Sequence, residues 1–430
     1  MNLTFSLPLL SATMKLDTDF SRRRFVERIA KSALGLTVLP TIGYTADGVR
    51  GTGFGKAKNI IFLQARGGMS HVDTFDPKEG GSKGPAEAIS TSADFQVTSY
   101  LPETAKVADR LSVIRTMTAK IGVHGPAQYF MRTGFAERTT VKHPNLGAWA
   151  QHYLGTSHET LPSSACINDG PRYGNGFFEP SFSPIPIHNP MTGLKNVDVS
   201  GGADQLKEKL DLAQDLSVGF MDKYPDANVS AYREFYDNTL RLLRSEDLSA
   251  FDITQEPNVV RERFGMGQFG QGCLLARRLV QAGVRYVEVS SEGWDMHNTL
   301  EADMEEVAPS FDQAYAALIQ DLEASGLLDS TLVVLATEFG RKPTWGGKGR
   351  GHYPLCFSTV LAGGGVKRGY VYGASDEEGR HPDKPTTVED FHATIGWAAG
   401  MPIEEPFITS TGRPFQVGGP AAKVVHDVFA

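Results

Sequence analysis

The feature of this sequence that most constrains its fold is a series of short apolar runs separated by helical segments. The runs Asn59–Ala65 and Thr331–Thr337 are almost continuously apolar and rich in β-branched residues. This pattern is typical of parallel strands that are buried on both faces. Further strands are predicted at Leu111–Thr116, Val284–Ser290 and Phe357–Ala362.

Helices are predicted between these strands. They cover Gly272–Ala282, Met304–Ser325 and Glu389–Ala399, and a shorter helical stretch around Gln128–Arg132 ends at Gly134. Alternating strands and helices predict an α/β fold with a doubly wound, mostly parallel sheet and helices on both faces. Ligands of such sheets bind beyond the carboxyl ends of the strands. The residues that directly follow each strand are therefore the candidates for function.

The domain organisation follows from length and composition. The chain has 430 residues, of which 40% are hydrophobic and 21% charged, as in ordinary globular proteins. We predict a single domain over residues 47–430, with an insertion or cap at about 156–254. This segment begins rich in Pro, Gly and Ser and becomes charged and helical at Gln205–Ser217 and Ala231–Ser245.

Charge and cysteine content narrow the classes of partner and fold. The formal net charge of -8 argues against nucleic acid or an anionic membrane as a partner. Three cysteines are too few for a disulfide framework. We expect them to be buried as small apolar residues, with one disulfide and one free thiol as the alternative.

The amino-terminal segment has the order of features that a secretory signal requires. Arg22 and Arg23 precede an apolar stretch at Ile29–Ile42, and Tyr44-Thr45-Ala46 is a small-residue cleavage site. The arginine pair followed by Phe25 resembles a twin-arginine signal. We therefore predict export of the protein to the periplasm or cell envelope, with residues 1–46 as the signal.

Several points about this segment stay open. The start can be Met1 or Met14, and the signal can be cleaved or kept as the only contact with the membrane. A basic amphipathic helix on a cytoplasmic protein is the alternative interpretation.

Acidic and histidine side chains follow several predicted strands. They are His71 and Asp73, Asp295 and His297, Glu338, and His352, while His124 precedes the helical stretch. Carboxylates and imidazoles are ligands for zinc, manganese, calcium or magnesium. In extended backbone, residues 295 and 297 point the same way and can share one ion. Taken singly, each residue also has a structural interpretation, such as a helix cap, a turn residue or the ion-pair partner of Arg341.

Longer motifs resemble a known family. The segments G-G-M-S-H-V-D-T-F-D-P-K, G-W-D-M-H, T-E-F-G-R-K-P and L-A-G-G-G-V-K-R-G-Y-V-Y-G resemble the uncharacterised family numbered 1501 among domains of unknown function. The order of landmarks along the chain resembles the alkaline phosphatase and sulfatase superfamily. This resemblance implies an alkaline phosphatase-like fold with a two-metal site that hydrolyses phosphate or sulfate esters.

The resemblance also implies roles for individual residues. One ion would be held by Asp295, His297 and His352. The second ion, or an attacking water, would be held by Glu338, His71 and Asp73. The superfamily's ligand histidine after the Glu338 position is replaced by Phe339, and Arg66 stands near its first-strand aspartate.

The nucleophile position of the superfamily is altered. It lies nine residues before Thr133-Gly134, where this chain has His124. His124 would act as nucleophile or as acid and base, or a metal-bound hydroxide would attack directly. Arg66 or Arg341 would bind the anionic group of the substrate.

Three functions are compatible with these residues. The first is a metal-dependent hydrolase with an altered active site, acting on a small-molecule or polysaccharide ester of phosphate or sulfate. The second is a catalytically eroded envelope protein that binds a polysaccharide, an anion or a partner protein. The third is an isomerase or transferase that acts on a phosphorylated sugar.

Overall fold

The computed structural model describes residues 51–169, 174–194, 205, 208, 211–212 and 238–430. The predicted signal at 1–46 lies outside the described residues. So does most of the two predicted helical stretches at 205–217 and 231–245, although residues 238–244 are helical.

Short strands and longer helices alternate along the described chain. The strands are β1 (Asn59–Ala65), β2 (Ala88–Ser90), β3 (Gln96–Thr98), β4 (Leu111–Thr118), β5 (Ser164–Ile167), β6 (Ile185–Ile187), β7 (Tyr286–Ser291), β8 (Thr331–Thr337), β9 (Gly340–Arg341), β10 (His352–Tyr353), β11 (Phe357–Ala362), β12 (Tyr370–Tyr372), β13 (Thr386–Thr387), β14 (Phe407–Ile408) and β15 (Pro414–Phe415). The α-helices are α1 (Pro102–Ala105), α2 (His124–Thr133), α3 (Leu146–Leu154), α4 (Asn258–Phe264), α5 (Gln268–Gln281), α6 (Leu300–Ala324) and α7 (Val388–Ala399).

Nine of the described strands form one mostly parallel sheet, as predicted. Their order is β12-β4-β11-β8-β1-β7-β5-β6, and β13 pairs with the end of β4. The strand β1 lies at the centre and pairs in parallel with both β7 and β8. The exception to the parallel arrangement is β11, which is antiparallel to β4 and β8. The ends of β1, β7 and β8 therefore meet at one edge of the sheet.

The two faces of the sheet bury two separate cores. Because side chains alternate along a strand, Ile61 and Leu63 pack with α5 and α6, whereas Ile60 and Phe62 pack with α3 and α7. Continuous apolar runs are needed for this arrangement, since both faces of each central strand are covered. The prediction of helices on both faces is confirmed.

The segment at about 156–254 contributes more to the sheet than its sequence indicated. Within it, β5 pairs in parallel with β7, and β6 extends the sheet by pairing with β5. The two strands have four and three residues. Such short runs carry no readable period, which is why the sequence pattern did not predict them.

The cysteines form no covalent crosslink in the described part of the chain. Cys166, Cys273 and Cys356 are all buried and unpaired, which confirms their prediction as small apolar residues.

Among the described helices, none is both long enough and apolar enough to cross a membrane.

A buried histidine on α7 is expected to make stability depend on pH. The side chain of His392 is fully buried, and its Nε2 donates to the carbonyl oxygen of Met131 at 2.7 Å. Burial lowers the pKa of His392 to about 4. The unfolded chain therefore binds the proton first, so this group's contribution is fully present above pH 6.5 and is lost as the pH falls towards 4, by about 3 kcal/mol in total.

The change that tests this is His392→Gln, whose amide can still donate to Met131. We expect the fall in unfolding free energy between pH 6.5 and 4 to be shallower in this variant than in the wild type. The control is His188→Gln, because His188 is exposed. The measurement is chemical denaturation over that pH range, and identical slopes in wild type and His392→Gln would contradict the assignment.

Candidate metal centre

Four ligand-type side chains meet beyond the carboxyl edge of the sheet. They are His124, Asp295, His297 and His352, and one ligand atom of each lies within 4.8 Å of all the others. His124 begins α2, the residues 295 and 297 follow β7, and His352 lies on β10. The fold therefore brings together residues that are more than 200 positions apart in sequence.

The loop after β7 presents two of the four side chains by alternation. Trp294 and Met296 are buried, whereas Asp295 and His297 are exposed. The indole of Trp294 donates to the hydroxyl of Ser291 at 3.1 Å, which anchors the buried side of the loop. The aspartate and the histidine consequently face the same space, as their spacing predicted.

The distances within the cluster are short. The Nε2 atom of His297 lies 2.9 Å from Oδ1 of Asp295 and 2.9 Å from Nε2 of His352. Oδ1 of Asp295 also lies 3.2 Å from Nε2 of His124 and 3.5 Å from Nε2 of His352. Three imidazole nitrogens thus converge on one carboxylate oxygen.

Two of these imidazoles are oriented by their other ring nitrogen. Nδ1 of His124 lies 2.8 Å from Oε1 of Glu338, and Nδ1 of His352 lies 2.8 Å from the carbonyl oxygen of Gly122. Since both partners are acceptors, each Nδ1 donates, and this hydrogen bond directs Nε2 of each ring towards the cluster. This is the orientation that a metal centre requires.

Glu338 supports the cluster and is not itself a member of it. Its side chain is fully buried, and Oε1 also accepts from the backbone N–H of Gly67 at 2.9 Å and from the side chain of Gln128 at 3.1 Å. Burial opposes ionisation, but these hydrogen bonds and that of His124 outweigh it and lower the pKa of Glu338. Glu338, which the sequence predicted as a ligand, therefore lies outside the cluster and accepts the hydrogen bond that orients His124.

Arg341 lies against the cluster with its hydrogen bonds already used. Nε donates to the carbonyl oxygen of Gly68 at 2.9 Å and Nη1 to that of Arg350 at 2.8 Å, while Nη2 contacts Gly67 and Asp295. Its remaining N–H, on Nη1, lies 3.3 Å from Nε2 of His297. Because the guanidinium has five N–H groups and is only 1% exposed, it holds the ligand loops and presents no free fork to a substrate anion.

The charge of Arg341 sets the protonation of its neighbours. Burial opposes ionisation of Asp295, but the hydrogen bond and charge of Arg341 outweigh it and lower the pKa of that carboxyl to about 2. Burial, together with the charge of Arg341, also lowers the pKa of His297. At neutral pH the aspartate is therefore charged and this imidazole neutral, which are the forms that bind metal.

The pKa of His124 is shifted in the opposite direction from that of His297. The hydrogen bond with Glu338 is the main reason that the pKa of His124 is raised, although burial acts against it. Its Nε2 atom is buried and lacks a well-aligned hydrogen bond despite the carboxylate oxygen 3.2 Å away. His124 thus keeps a proton more readily than His297.

Two predicted ligands lie elsewhere in the fold. His71 is buried and its Nε2 donates to the carbonyl oxygen of Gly379 at 2.8 Å. Asp73 is buried and forms a bidentate ion pair with Arg350, at 2.6 and 3.0 Å. These partners turn both side chains away from the cluster, so the structure does not bring them to the centre as ligands.

Arg66 also has carboxylate partners of its own. Its guanidinium contacts Glu292 and lies 3.4 Å from Asp169. Asp169 is shared with Arg132, which lies 2.6 Å from the buried carboxylate of Glu288. Arg66 therefore belongs to an ionic network beside the centre and does not extend into the cluster.

Glycine is required where two loops of the centre cross. Gly67 has a φ of 118°, and a Cβ atom there would lie 2.4 Å from the backbone nitrogen of Asp295. An alanine would therefore push the loop after β7 away from the loop after β1. The close approach explains the G-G pair that follows the first strand.

The donor set fits one divalent ion. Imidazole nitrogens and a carboxylate are ligands for zinc or manganese, and a hydrogen bond at the second ring nitrogen, as His352 has, is usual for a ligating histidine. The close contact between Nε2 of His297 and Nε2 of His352 is relieved when a cation lies between them. The described residues provide this one cluster of ligands and no second.

Two supporting residues were not predicted as part of the site. Gln128 lies four positions after His124, hence on the same face of α2, and this spacing is a signal that the sequence does carry. The carbonyl oxygen of Gly122 is a backbone acceptor, and no sequence pattern identifies its role.

The sequence was compared with models of known protein families. The model described as "Protein of unknown function (DUF1501)" matches residues 57–429. The chain belongs to this family. The match includes every residue of the cluster, so the centre lies within the family's domain. No curated protein sequence matches the chain.

Several solved structures resemble this family member at low identity. The lipoteichoic acid synthase LtaP from Listeria monocytogenes is 10% identical, with a TM-score of 0.41 over 81% of this chain and 74% of that chain. The PsFucS1 sulfatase from Pseudoalteromonas sp. is 14% identical, with a TM-score of 0.41 over 87% and 76%. The phosphonate monoester hydrolase SpPMH from Silicibacter pomeroyi is 12% identical, with a TM-score of 0.40 over 86% and 76%. At these values no substrate and no residue role is carried over.

Proposed function

We propose that this protein is an exported, metal-dependent hydrolase of phosphate or sulfate esters. The observation that carries the proposal is the convergence of His124, Asp295, His297 and His352 within 4.8 Å, with the rings of His124 and His352 oriented by hydrogen bonds at Nδ1 so that Nε2 faces the others. Motifs that resemble the alkaline phosphatase and sulfatase superfamily supply the reaction class. Export rests on the twin-arginine pattern at Arg22 and Arg23.

Three side chains would hold the ion in this scheme. Asp295 supplies the charged ligand, because Arg341 keeps its carboxylate ionised. His297 and His352 supply Nε2 atoms that lie 2.9 and 3.5 Å from that carboxylate oxygen and 2.9 Å from each other. A bound divalent ion would polarise the ester oxygen and lower the pKa of a water molecule.

His124 would transfer the proton. Its Nε2 faces the same space as the three ligands, and Glu338 both orients the ring and raises its pKa. A protonated imidazole in this position donates to the leaving oxygen and afterwards accepts a proton from water. Because Arg341 is buried and donates to backbone carbonyl oxygens and to Asp295, the substrate's negative charge is met by the ion and by His124.

Metal content is the first measurement. We expect about one equivalent of zinc, manganese or calcium in the wild type, by elemental mass spectrometry of protein exported by its native host. The His297→Ala, His352→Ala double variant removes two of three ligands and should lose almost all of it. The control double variant, His188→Ala with His426→Ala, changes two exposed histidines and should keep the wild-type content.

Substrate class is tested on the same samples. A panel of phosphate and sulfate esters, including sulfated oligosaccharides, should show hydrolysis by the wild type and the control but not by the ligand variant. Absence of metal from the wild type, even after incubation with excess ions, would reject the hydrolase. It would favour the eroded envelope protein that binds a polysaccharide, an anion or a partner.

A further inference from the structure

A buried ion pair lies behind the candidate centre and touches none of its ligands. Asp73 and Arg350 are both 0% exposed, and their bidentate contact measures 2.6 and 3.0 Å. A charge pair removed from water costs more to bury than apolar residues of the same size. We therefore expect the pair to position other residues and not to stabilise the fold.

Arg350 joins three loops through its backbone and its side chain. Its N–H donates to the carbonyl oxygen of Met296 at 3.0 Å, between Asp295 and His297. Its own carbonyl oxygen accepts from Nη1 of Arg341 at 2.8 Å. Two residues further along the chain lies His352. The position of Arg350 thus fixes the spacing between the loop after β7 and the strand β10.

The guanidinium of Arg350 is held on every side. Besides Asp73, it donates to the carbonyl oxygens of Ser82 at 3.0 Å and of Lys342 at 3.3 Å, and it lies over the ring of Trp345 at 5.4 Å. Asp73 in turn contacts the hydroxyl of Ser70 on the loop after β1. The pair therefore ties the loop at 342–350 to the central strand of the sheet.

We propose that the Asp73–Arg350 pair is a positioning element that sets the distance between His297 and His352 in the metal centre. The inference rests on the proposed metal-dependent function, because the geometry it controls is that of the ligands. Asp73, which the sequence suggested as a ligand, acts here through Arg350.

The test replaces both charges by apolar residues of similar size. The Asp73→Leu, Arg350→Met double variant leaves no unpaired charge in the interior, but the carbonyl oxygens of Ser82 and Lys342 lose a donor, so we expect it to fold with a lower thermal midpoint than the wild type. We expect its Zn²⁺ affinity, measured by competition with a chelating dye, to fall 10- to 100-fold, as for other residues that orient ligands. A crystal structure should show His352 displaced from its 2.9 Å contact with His297.

The matched control is the ion pair of Arg277 with Asp321, at 2.9 Å between α5 and α6. The Arg277→Met, Asp321→Leu variant removes a largely buried pair and should keep the wild-type affinity. If the first double variant does not fold, Arg350→Lys replaces it, because lysine keeps the charge but cannot form the bidentate contact. Its control is then Arg277→Lys.

The outcomes separate this inference from the proposed function. Wild-type affinity and unmoved histidines in the variant would overturn the positioning role, even if the wild type binds metal. A wild type that binds no ion would reject the hydrolase. The positioning role would then be judged from the crystal structure of the variant, where displaced histidines support it and unmoved histidines overturn it.

Discussion

Replacing Glu338 by glutamine should lower the proposed ester hydrolysis, assayed on the ester panel, by about 100-fold while leaving the proposed metal in place. Glutamine keeps the size of the side chain and an oxygen that can accept from Gly67 and Gln128. It removes the negative charge that faces Nδ1 of His124 at 2.8 Å. Since that hydrogen bond is the main reason for the raised pKa of His124, we expect the pKa of His124 to fall in the variant, which weakens this residue as a proton donor.

Two measurements check this expectation. Nuclear magnetic resonance of ¹⁵N-labelled histidines gives the pKa of His124 without a substrate, and elemental analysis gives the metal content. The control is Glu389→Gln, which changes a carboxylate paired with Lys120 on the outer surface. An unchanged pKa of His124 in Glu338→Gln would contradict the role of this carboxylate. Loss of the metal would instead show that Glu338 is needed to hold the ion.

Replacing Gly349 by alanine should displace His297 or unfold the centre. A Cβ atom at this position would lie 2.0 Å from the carbonyl carbon of His297 and 2.2 Å from its oxygen. Both are backbone atoms, so no change of rotamer relieves the overlap. Overpacking of this kind costs about 3 kcal/mol or more when the neighbour is rigid.

Gly346 in the same loop is the matched control for that substitution. A Cβ atom there would meet nothing within 4 Å, and its φ is not in the left-handed region. We expect Gly346→Ala to unfold at the wild-type temperature and to keep its metal, whereas Gly349→Ala should lose both stability and ion affinity. Equal thermal midpoints for the two variants would show that the loop at 346–349 adjusts without cost.

The central strands and the main helices were readable because their burial is nearly complete. β1 and β8 have the predicted bounds, Asn59–Ala65 and Thr331–Thr337, since both faces of each strand are covered and Gln64 is the one polar residue inside either run. The strands β5 and β6 are too short for such a pattern. The pairing of β11 against its neighbours depends on contacts distant in sequence, which a local pattern does not contain.

The residues of the candidate centre could be predicted from the sequence only in part. The spacing of Asp295 and His297 gave their shared direction, because alternation in extended backbone is a local property. His124 and His352 come from other parts of the chain, and only the folded sheet brings their nitrogens to that carboxylate. The sequence could not distinguish ligands from structural residues among the remaining candidates. Burial and partners make that distinction, as Asp73 with Arg350 shows.

The sequence by itself determined the α/β class, the doubly wound sheet and the edge of the sheet at which polar side chains gather. It did so because the pattern of apolar residues that marks a buried strand or helix is local in the sequence. Tertiary structure alone decided which of those side chains meet. In the folded protein Arg341 and Glu338 position the ligands and are not ligands themselves. Arg341 donates to backbone carbonyl oxygens, and Glu338 accepts from His124. Tertiary structure also placed Asp73 behind the centre, because a buried carboxylate needs a cation and Arg350 pairs with it there.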